Sequence, residues 1–383
     1  MKIRLKNLFL LILCLIRFLI YGRADKIKKP RNVLIVQTAK LGDMVCTTPL
    51  FKAFNKNGYK VFVMGNSANK ELLRDNSDVN DYLIYDGKNL IKTIKFIKRL
   101  NLDCACLTVP NFTALAVLFL SGISAIVIPE IKNGVSPYEN RSYKILRRFC
   151  IKVPHNMGQY APREYLRLLE PFGIFTDDTK KTLDYSSEAG ERISRFLREN
   201  NIKDTDFKVV IAPSAGNKIK TWGEKNFAEV SDEIFKKYPN IKIFLIGGIK
   251  DKKEIDGVIS YLNPVTKVIN TYGLFPLDEL KAFIAKANLL IAVDTGPIYI
   301  AEAFGVATID IVGPIDEREQ PPIGEFYRIV KLENRTPQLY VMNARVYDKK
   351  EARRQIESIT PKMVIEEFDK LVSTLKAKDL LKI

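Results

Sequence analysis

The chain has 383 residues, 46% of them hydrophobic, and sets 61 basic against 44 acidic side chains for a formal net charge of +17. That size and apolar content exclude a disordered chain and leave room for two domains, while the charge points to an anionic partner: nucleic acid, an acidic membrane surface or a phosphorylated substrate. One His and five Cys without a CxxC pair argue against a His-based triad or a zinc site, and the cysteines read as reduced thiols of a cytoplasmic protein.

Residues 1–30 differ from the rest. Leu8–Tyr21 is apolar except for Arg17, with Lys2, Arg4 and Lys6 before it and Arg23, Lys26, Lys28 and Lys29 after it. A spanning helix needs about 20 apolar residues, and Arg17 argues against both a span and a signal core. No small-x-small cleavage site precedes Pro30. The segment reads as a monotopic helix lying on an anionic leaflet; an uncleaved signal-anchor is the competing reading.

From residue 31 to about 180, strand and helix signals alternate. Asn32–Gln37 is a β-branched strand that runs through Leu41-Gly42-Asp43 into a helix expected over Met44–Asn57. The loop contains neither GxGxxG nor GxxxxGK[ST], so the dinucleotide and P-loop readings fail on their own motifs. Asp43 falls at the carboxyl end of the first strand, the edge where open parallel sheets bind ligands; capping the helix is its plain structural alternative. Strands follow at Lys60–Met64, Tyr82–Tyr85, Asp103–Val109 and Ala125–Ile128, and a basic helix is expected over Ser142–Lys152. His155 falls in a loop.

The polar stretch 173–187 reads as a linker. A second alternating series runs from 181 to 345. Phe207–Ala212 is a strand, followed by the turn Ser214–Trp222, which carries Lys220. The turn Gly247-Gly248 follows strand Lys242–Ile246. Leu289–Val293 is a buried strand that breaks at Asp294-Thr295-Gly296 and resumes as a small-residue helix with Pro297 in its first turn. Residues 315–360 read as irregular, and 346–383 as a tail closed by an amphipathic helix, Pro361–Leu380.

The expected architecture is α/β: two doubly wound, Rossmann-like parallel sheets facing across a cleft, one at 31–180 and the other at 181–345. Three strand-end turns then carry the chemistry. Lys220 pairs with a diphosphate, and the amides of Thr295 and Gly296 at a helix start receive the same group. Asp294, whose carboxylate repels phosphate, is expected to accept backbone N–H groups and fix the turn. Asp43 takes the proton from an attacking hydroxyl. The bland reading of 294–296 is an ordinary strand-to-helix turn. Trp222 reads as a packing residue. Asp204-Thr205-Asp206 is a DxD string of the kind that holds a divalent ion, but it precedes a strand at the wrong edge of the sheet.

LGD near the start, KTW after a mid-chain strand, and VDTGP followed by AEAFGV together resemble glycosyltransferase family 9, whose members include ADP-heptose:lipopolysaccharide heptosyltransferases. The resemblance covers about 32–314. It implies a GT-B fold with an acceptor domain at 31–180 and a nucleotide-sugar donor domain at 181–345, metal-independent inverting transfer, Asp43 as general base, Lys220 with Asp294, Thr295 and Gly296 at the donor diphosphate, and Asp251 or Glu254 at the donor nucleoside. Family members commonly carry His where this chain has Tyr299, which donates one hydrogen bond but carries no positive charge. No cofactor or metal is expected. The expected partners are a nucleotide-diphosphate sugar donor, a lipid-linked saccharide acceptor and an anionic membrane surface, not nucleic acid, at the cytoplasmic face of a bacterial inner membrane. A non-catalytic sugar-nucleotide or envelope-assembly binding protein of the same fold is the alternative.

Overall fold

The computed structural model describes residues 2–25, 27, 32–85 and 87–378. Lys26, Lys28 and Lys29, the side chains of Lys2 and Arg4, and the expected helix end at Leu380 lie outside that description.

In chain order, helix α1 (Lys2–Tyr21) precedes strand β1 (Asn32–Val36), α2 (Leu41–Lys56), β2 (Lys60–Gly65), α3 (Ser67–Leu72), β3 (Asp81–Ile84) and α4 (Leu90–Arg99). Next come β4 (Cys104–Leu107), α5 (Phe112–Leu120), β5 (Ala125–Lys132), α6 (Arg141–Leu146), β6 (Ile151–Asn156) and α7 (Ala161–Leu166). The later half holds α8 (Ser187–Glu199), β7 (Lys208–Ala212), α9 (Glu224–Lys237), β8 (Lys242–Leu245), α10 (Lys252–Tyr261), β9 (Val268–Asn270) and α11 (Leu277–Ala285). It closes with β10 (Leu289–Val293), α12 (Gly296–Ala303), β11 (Ala307–Ile311), β12 (Tyr327–Val330), α13 (Lys349–Glu357) and α14 (Pro361–Ala377).

Among the described residues the strands form two six-stranded sheets, ordered β3-β2-β1-β4-β5-β6 and β12-β11-β10-β7-β8-β9. The named strand pairs are parallel. Both sheets repeat one winding: the chain builds outward from a central strand, returns to its other side and builds outward again. The strand order reverses between β1 and β4 in one sheet and between β7 and β10 in the other. Beyond the carboxyl ends of such strands, the connecting loops diverge and leave a crevice for ligands. The central strands are apolar runs (NVLIV, KVVIA, LLIAV) because helices cover both faces.

The chain divides into two compact units, Met1–Thr182 with Arg318–Gln320 and Tyr340–Val346, and Leu183–Glu317 with Pro321–Leu339 and Tyr347–Ile383. In the first unit, α5 is buried on nearly every side, with α1, α4 and α6 packed around it. Leu10, Leu11 and Cys14 of α1 belong to that core, and Phe18 stacks on Phe149 at 4.1 Å. Arg17 lies over the Phe119 ring at 4.4 Å and donates to the Gly22 carbonyl at 3.1 Å. The cation within the apolar run is thus turned to protein. Among the described residues, no helix is long and apolar enough to cross a membrane.

Three local expectations give way. The basic helix ends at Leu146 instead of running to Lys152, because Ile151–Asn156 pairs with β5 as an edge strand. Pro154 is tolerated there as it would not be in a helix interior or a central strand. His155 therefore lies on a strand, not in a loop, and is buried; desolvation, with the nearby Arg167 charge, pushes its pKa down to about 4. Residues 315–360 contain β12 and α13. The short YRIV strand draws its stability from pairing with β11, and α13 from an Asp348 cap whose carboxylate accepts the Lys350 and Glu351 amides at 2.8 and 3.1 Å.

Candidate active site

The second unit places β7 beside β10, pairing Val209 with Leu289 through Ala212 with Ala292. The loops leaving their carboxyl ends are therefore neighbours, and Lys220 meets Asp294. The Lys220 ammonium donates to Asp294 Oδ2 at 2.5 Å and also to the Asp294 main-chain carbonyl. Tyr299, one turn into α12 and 2% exposed, donates its hydroxyl hydrogen to Asp294 Oδ1. The Asp294 carboxylate thus takes its hydrogen bonds from Lys220 and Tyr299, where backbone amides were expected. The reason is position: Thr295, in extended conformation, occupies the helix cap, so Asp294 lies one residue earlier and looks sideways toward the β7 loop.

Thr295 makes no side-chain cap bond, and Gly296 and Pro297 form the first turn of α12. The first amides of a helix lack intrahelical acceptors and carry the positive end of the helix dipole. Thr295 and Gly296 are half-buried, so this end stays reachable. The ammonium of Lys220 and the start of α12 converge on one edge of the sheet.

Behind this edge lies an acid that sequence reasoning missed. Asp310 sits on β11 opposite Ala292 and is 1% exposed. Burial, then the Asp294 charge, pushes its pKa well above the usual carboxylate range, and its Oδ1 finds no hydrogen-bond partner among the described atoms. A buried carboxyl whose proton is held more tightly than usual thus backs the Lys220–Asp294 pair. Its signal in the sequence was one acid inside the buried run ATIDI.

Glu254 and Asp251 follow the Gly247-Gly248 turn. Asp251 is occupied locally, its carboxylate accepting the Gly248 amide at 2.8 Å and closing its own turn. Glu254, in the first turn of α10, pairs with Lys218, which holds its carboxyl below the usual range. Lys218 lies two residues before Lys220, so Glu254 is drawn to the same loop. Trp222 is a packing residue: its ring meets Phe227 edge-on at 5.0 Å, and its Nε1 donates to the Ile359 carbonyl at 2.8 Å. At the opposite edge of β7, the Lys208 ammonium donates to the Asp204 and Asp206 carbonyls at 3.2 and 2.7 Å.

In the first unit, Asp43 is the third residue of α2. The helix starts earlier than expected, capped at Lys40 without a side-chain bond, so Asp43 is not the cap. Its Oδ1 accepts the Gln320 Nε2 at 3.3 Å. Gln320 comes from a segment held by Glu319, whose carboxylate accepts the Gly158 and Val341 amides at 2.8 and 2.5 Å and whose carbonyl accepts the Ala161 amide at 2.6 Å. This clasp lies 277 residues from Asp43 in sequence, and no local motif announces it.

The family model for glycosyltransferase family 9 (heptosyltransferase) matches residues 163–347. Lipopolysaccharide heptosyltransferase 3 of Escherichia coli (strain K12) is 25% identical over 289 residues, 72% of this chain and 80% of that protein. The crystal structure of the glycosyl transferase family 9 from Veillonella parvula DSM 2008 superposes with a TM-score of 0.73 at 18% identity, covering 89% of this chain and 97% of that one. E. coli ADP-heptose LPS heptosyltransferase II gives 0.70 at 16% identity, over 90% of this chain and 99% of that one. At these identities the two structures establish the fold. Residues 163–347 thus match glycosyltransferase family 9, the two parallel six-stranded sheets have the GT-B architecture, and the chain is a glycosyltransferase.

Proposed function

We propose that the protein is an inverting, metal-independent transferase that moves heptose from ADP-heptose to a hydroxyl of a lipid-linked saccharide such as the lipopolysaccharide core, at the cytoplasmic face of a bacterial inner membrane. The observation that carries this reading is the convergence of Lys220 and the α12 start on one sheet edge. An ammonium has three N–H donors. Two are directed at Asp294, and the third suits a donor phosphate oxygen. The amides of Thr295 and Gly296 receive another. Together they supply the positive charge that a divalent ion supplies in metal-dependent transfer.

In the reaction, Asp43 accepts the proton of the acceptor hydroxyl as its oxygen bonds to the anomeric carbon. The bond from that carbon to the diphosphate breaks, and its electrons leave with ADP. Displacement from the opposite face inverts the anomeric centre. Tyr299 acts through Asp294, orienting the acceptor of the Lys220 ion pair, and is a positioning residue. Glu254 suits the ribose hydroxyls better than Asp251, whose carboxylate is spent on its own turn. The match to a lipopolysaccharide heptosyltransferase and the ADP-heptose named for the E. coli structure support the donor and acceptor classes.

Thermal shift with ADP-, UDP-, GDP- and CDP-sugars tests the donor, because a ligand that binds the folded state raises Tm. ADP-heptose is expected to stabilise most; a larger shift with another nucleotide overturns the assignment. Asp43→Asn is expected to lower transfer by about 100- to 10,000-fold with donor affinity retained. Transfer at the unaltered rate removes Asp43 as the base.

A further inference from the structure

The first unit carries an apolar surface that the transfer chemistry does not use. Helix α1 is apolar nearly all round. One stripe, Leu10, Leu11 and Cys14, is buried against the unit's own core. The opposite stripe recurs at helical spacing, with Leu5, Leu8, Phe9, Ile12, Ile16 and Leu19 all 47–80% exposed. A soluble surface helix shows polar residues on that face, and a contiguous exposed apolar ridge marks an interaction site.

The surroundings say what kind of partner covers it. Helices α4 and α6 pack around α5 beside α1. The sequences of α1, α4 and α6 contain no acidic residue. Helix α4 exposes Ile91 and Phe96 among Lys92, Lys95, Lys98 and Arg99, and α6 exposes Lys144. Apolar side chains bordered by cations match a layer with acyl chains beneath anionic headgroups. A second copy of the chain fits poorly, since a two-fold contact sets each patch against itself and brings like charges together.

We infer that α1, flanked by α4 and α6, is a docking face for an anionic phospholipid surface: α1 lies in the plane of the leaflet, with its Leu10/Cys14 stripe on the protein and its Leu8/Leu19 stripe in the lipid. This deepens the transferase reading, on which it rests for the use of such a surface, by fixing which face of the first unit meets the membrane. The stripe that faces the lipid is the one left over once Leu10, Leu11 and Cys14 are buried in the protein core.

The test is co-sedimentation of the full chain with phosphatidylcholine vesicles with and without phosphatidylglycerol. Binding is expected to the anionic vesicles and to fall about tenfold or more in high salt, where headgroup attraction is screened. The exposed-stripe variant Leu8→Glu/Phe9→Glu/Leu19→Glu is expected to lose about tenfold or more in binding while keeping its Tm and its transfer to a water-soluble acceptor. A second variant, Lys92→Glu/Lys95→Glu/Lys98→Glu, leaves the apolar stripe intact and is expected to lose the preference for anionic lipid. Equal binding to neutral vesicles, unchanged binding by both variants, or a lipid-free dimer abolished by the first variant overturns the inference. Vesicle binding is read without any transfer step, so loss of transfer activity bears on the enzyme assignment and leaves this result standing.

Discussion

Lys220 and Asp294 are 74 residues apart in sequence and 2.5 Å apart in the structure, joined because β7 and β10 are adjacent strands whose outgoing loops share one sheet edge. The pair fixes the Lys220 ammonium beside the start of α12, the place proposed for the donor diphosphate. Replacing Lys220 with Ala is expected to cut kcat/KM by about 100- to 1,000-fold, the cost of removing one preorganised donor from a developing anion. Lys220→Arg keeps the charge but not the compact geometry and is expected to recover part of the loss. Steady-state kinetics with ADP-heptose check both; equal activity of Lys220→Ala and the wild type removes the residue from the donor site.

Gln320 donates to Asp43 at 3.3 Å and so is placed to orient the proposed base. Gln320→Ala is expected to lower kcat about tenfold, in line with the loss of one hydrogen bond to a charged group, and to leave the donor Kd unchanged. Calorimetric titration with ADP alongside the kinetics separates the two. A variant that loses donor affinity in place of turnover assigns Gln320 to another role.

Asp310 carries a sign that can be worked out. Burial, then the Asp294 charge, raises its pKa in the folded protein, so above the ordinary carboxylate range the folded chain holds this proton more tightly than the unfolded chain does. The folded state then binds the extra proton, so this group's contribution is complete at low pH and is lost as pH rises. Asp310→Asn keeps the shape and removes the titration. It is expected to raise Tm at neutral pH, with a gain that grows as pH rises. Melting curves at several pH values decide it.

His155 has the opposite dependence. Burial, with the Arg167 charge nearby, pushes its pKa in the folded protein down to about 4 from the ordinary 6.5. Its contribution is therefore complete above pH 6.5 and is lost as pH falls toward 4, by an amount on the order of 3 kcal/mol. His155→Gln is expected to flatten the stability profile across that window. An unchanged slope in denaturant titrations at pH 4.5 and 6.5 assigns the acid sensitivity elsewhere.

The two-sheet fold was legible because buried parallel strands write themselves as short apolar runs between helical periods, and β1, β7 and β10 are such runs. The motif residues Asp43, Lys220 and Asp294 were legible because each follows one of those strands. What the sequence hid was pairing. β6 and β12 have little apolar signal of their own and exist because β5 and β11 offer an edge. Asp294 was expected to bond amides, yet its partners Lys220 and Tyr299 are set by strand adjacency and by one helical turn. Gln320 was invisible beside Asp43, since the link depends on a distant segment returning to the first unit.

That returning segment limits how this enzyme can be recombined. The chain leaves the first unit at Thr182, revisits it at Arg318–Gln320 and Tyr340–Val346, and ends in the second. A fragment cut after Thr182 lacks Glu319, which ties Gly158 to Val341, and Gln320, which reaches Asp43. Chimeras that swap the first unit between relatives must therefore exchange three stretches of sequence together, and a single crossover at the midpoint separates Asp43 from Gln320.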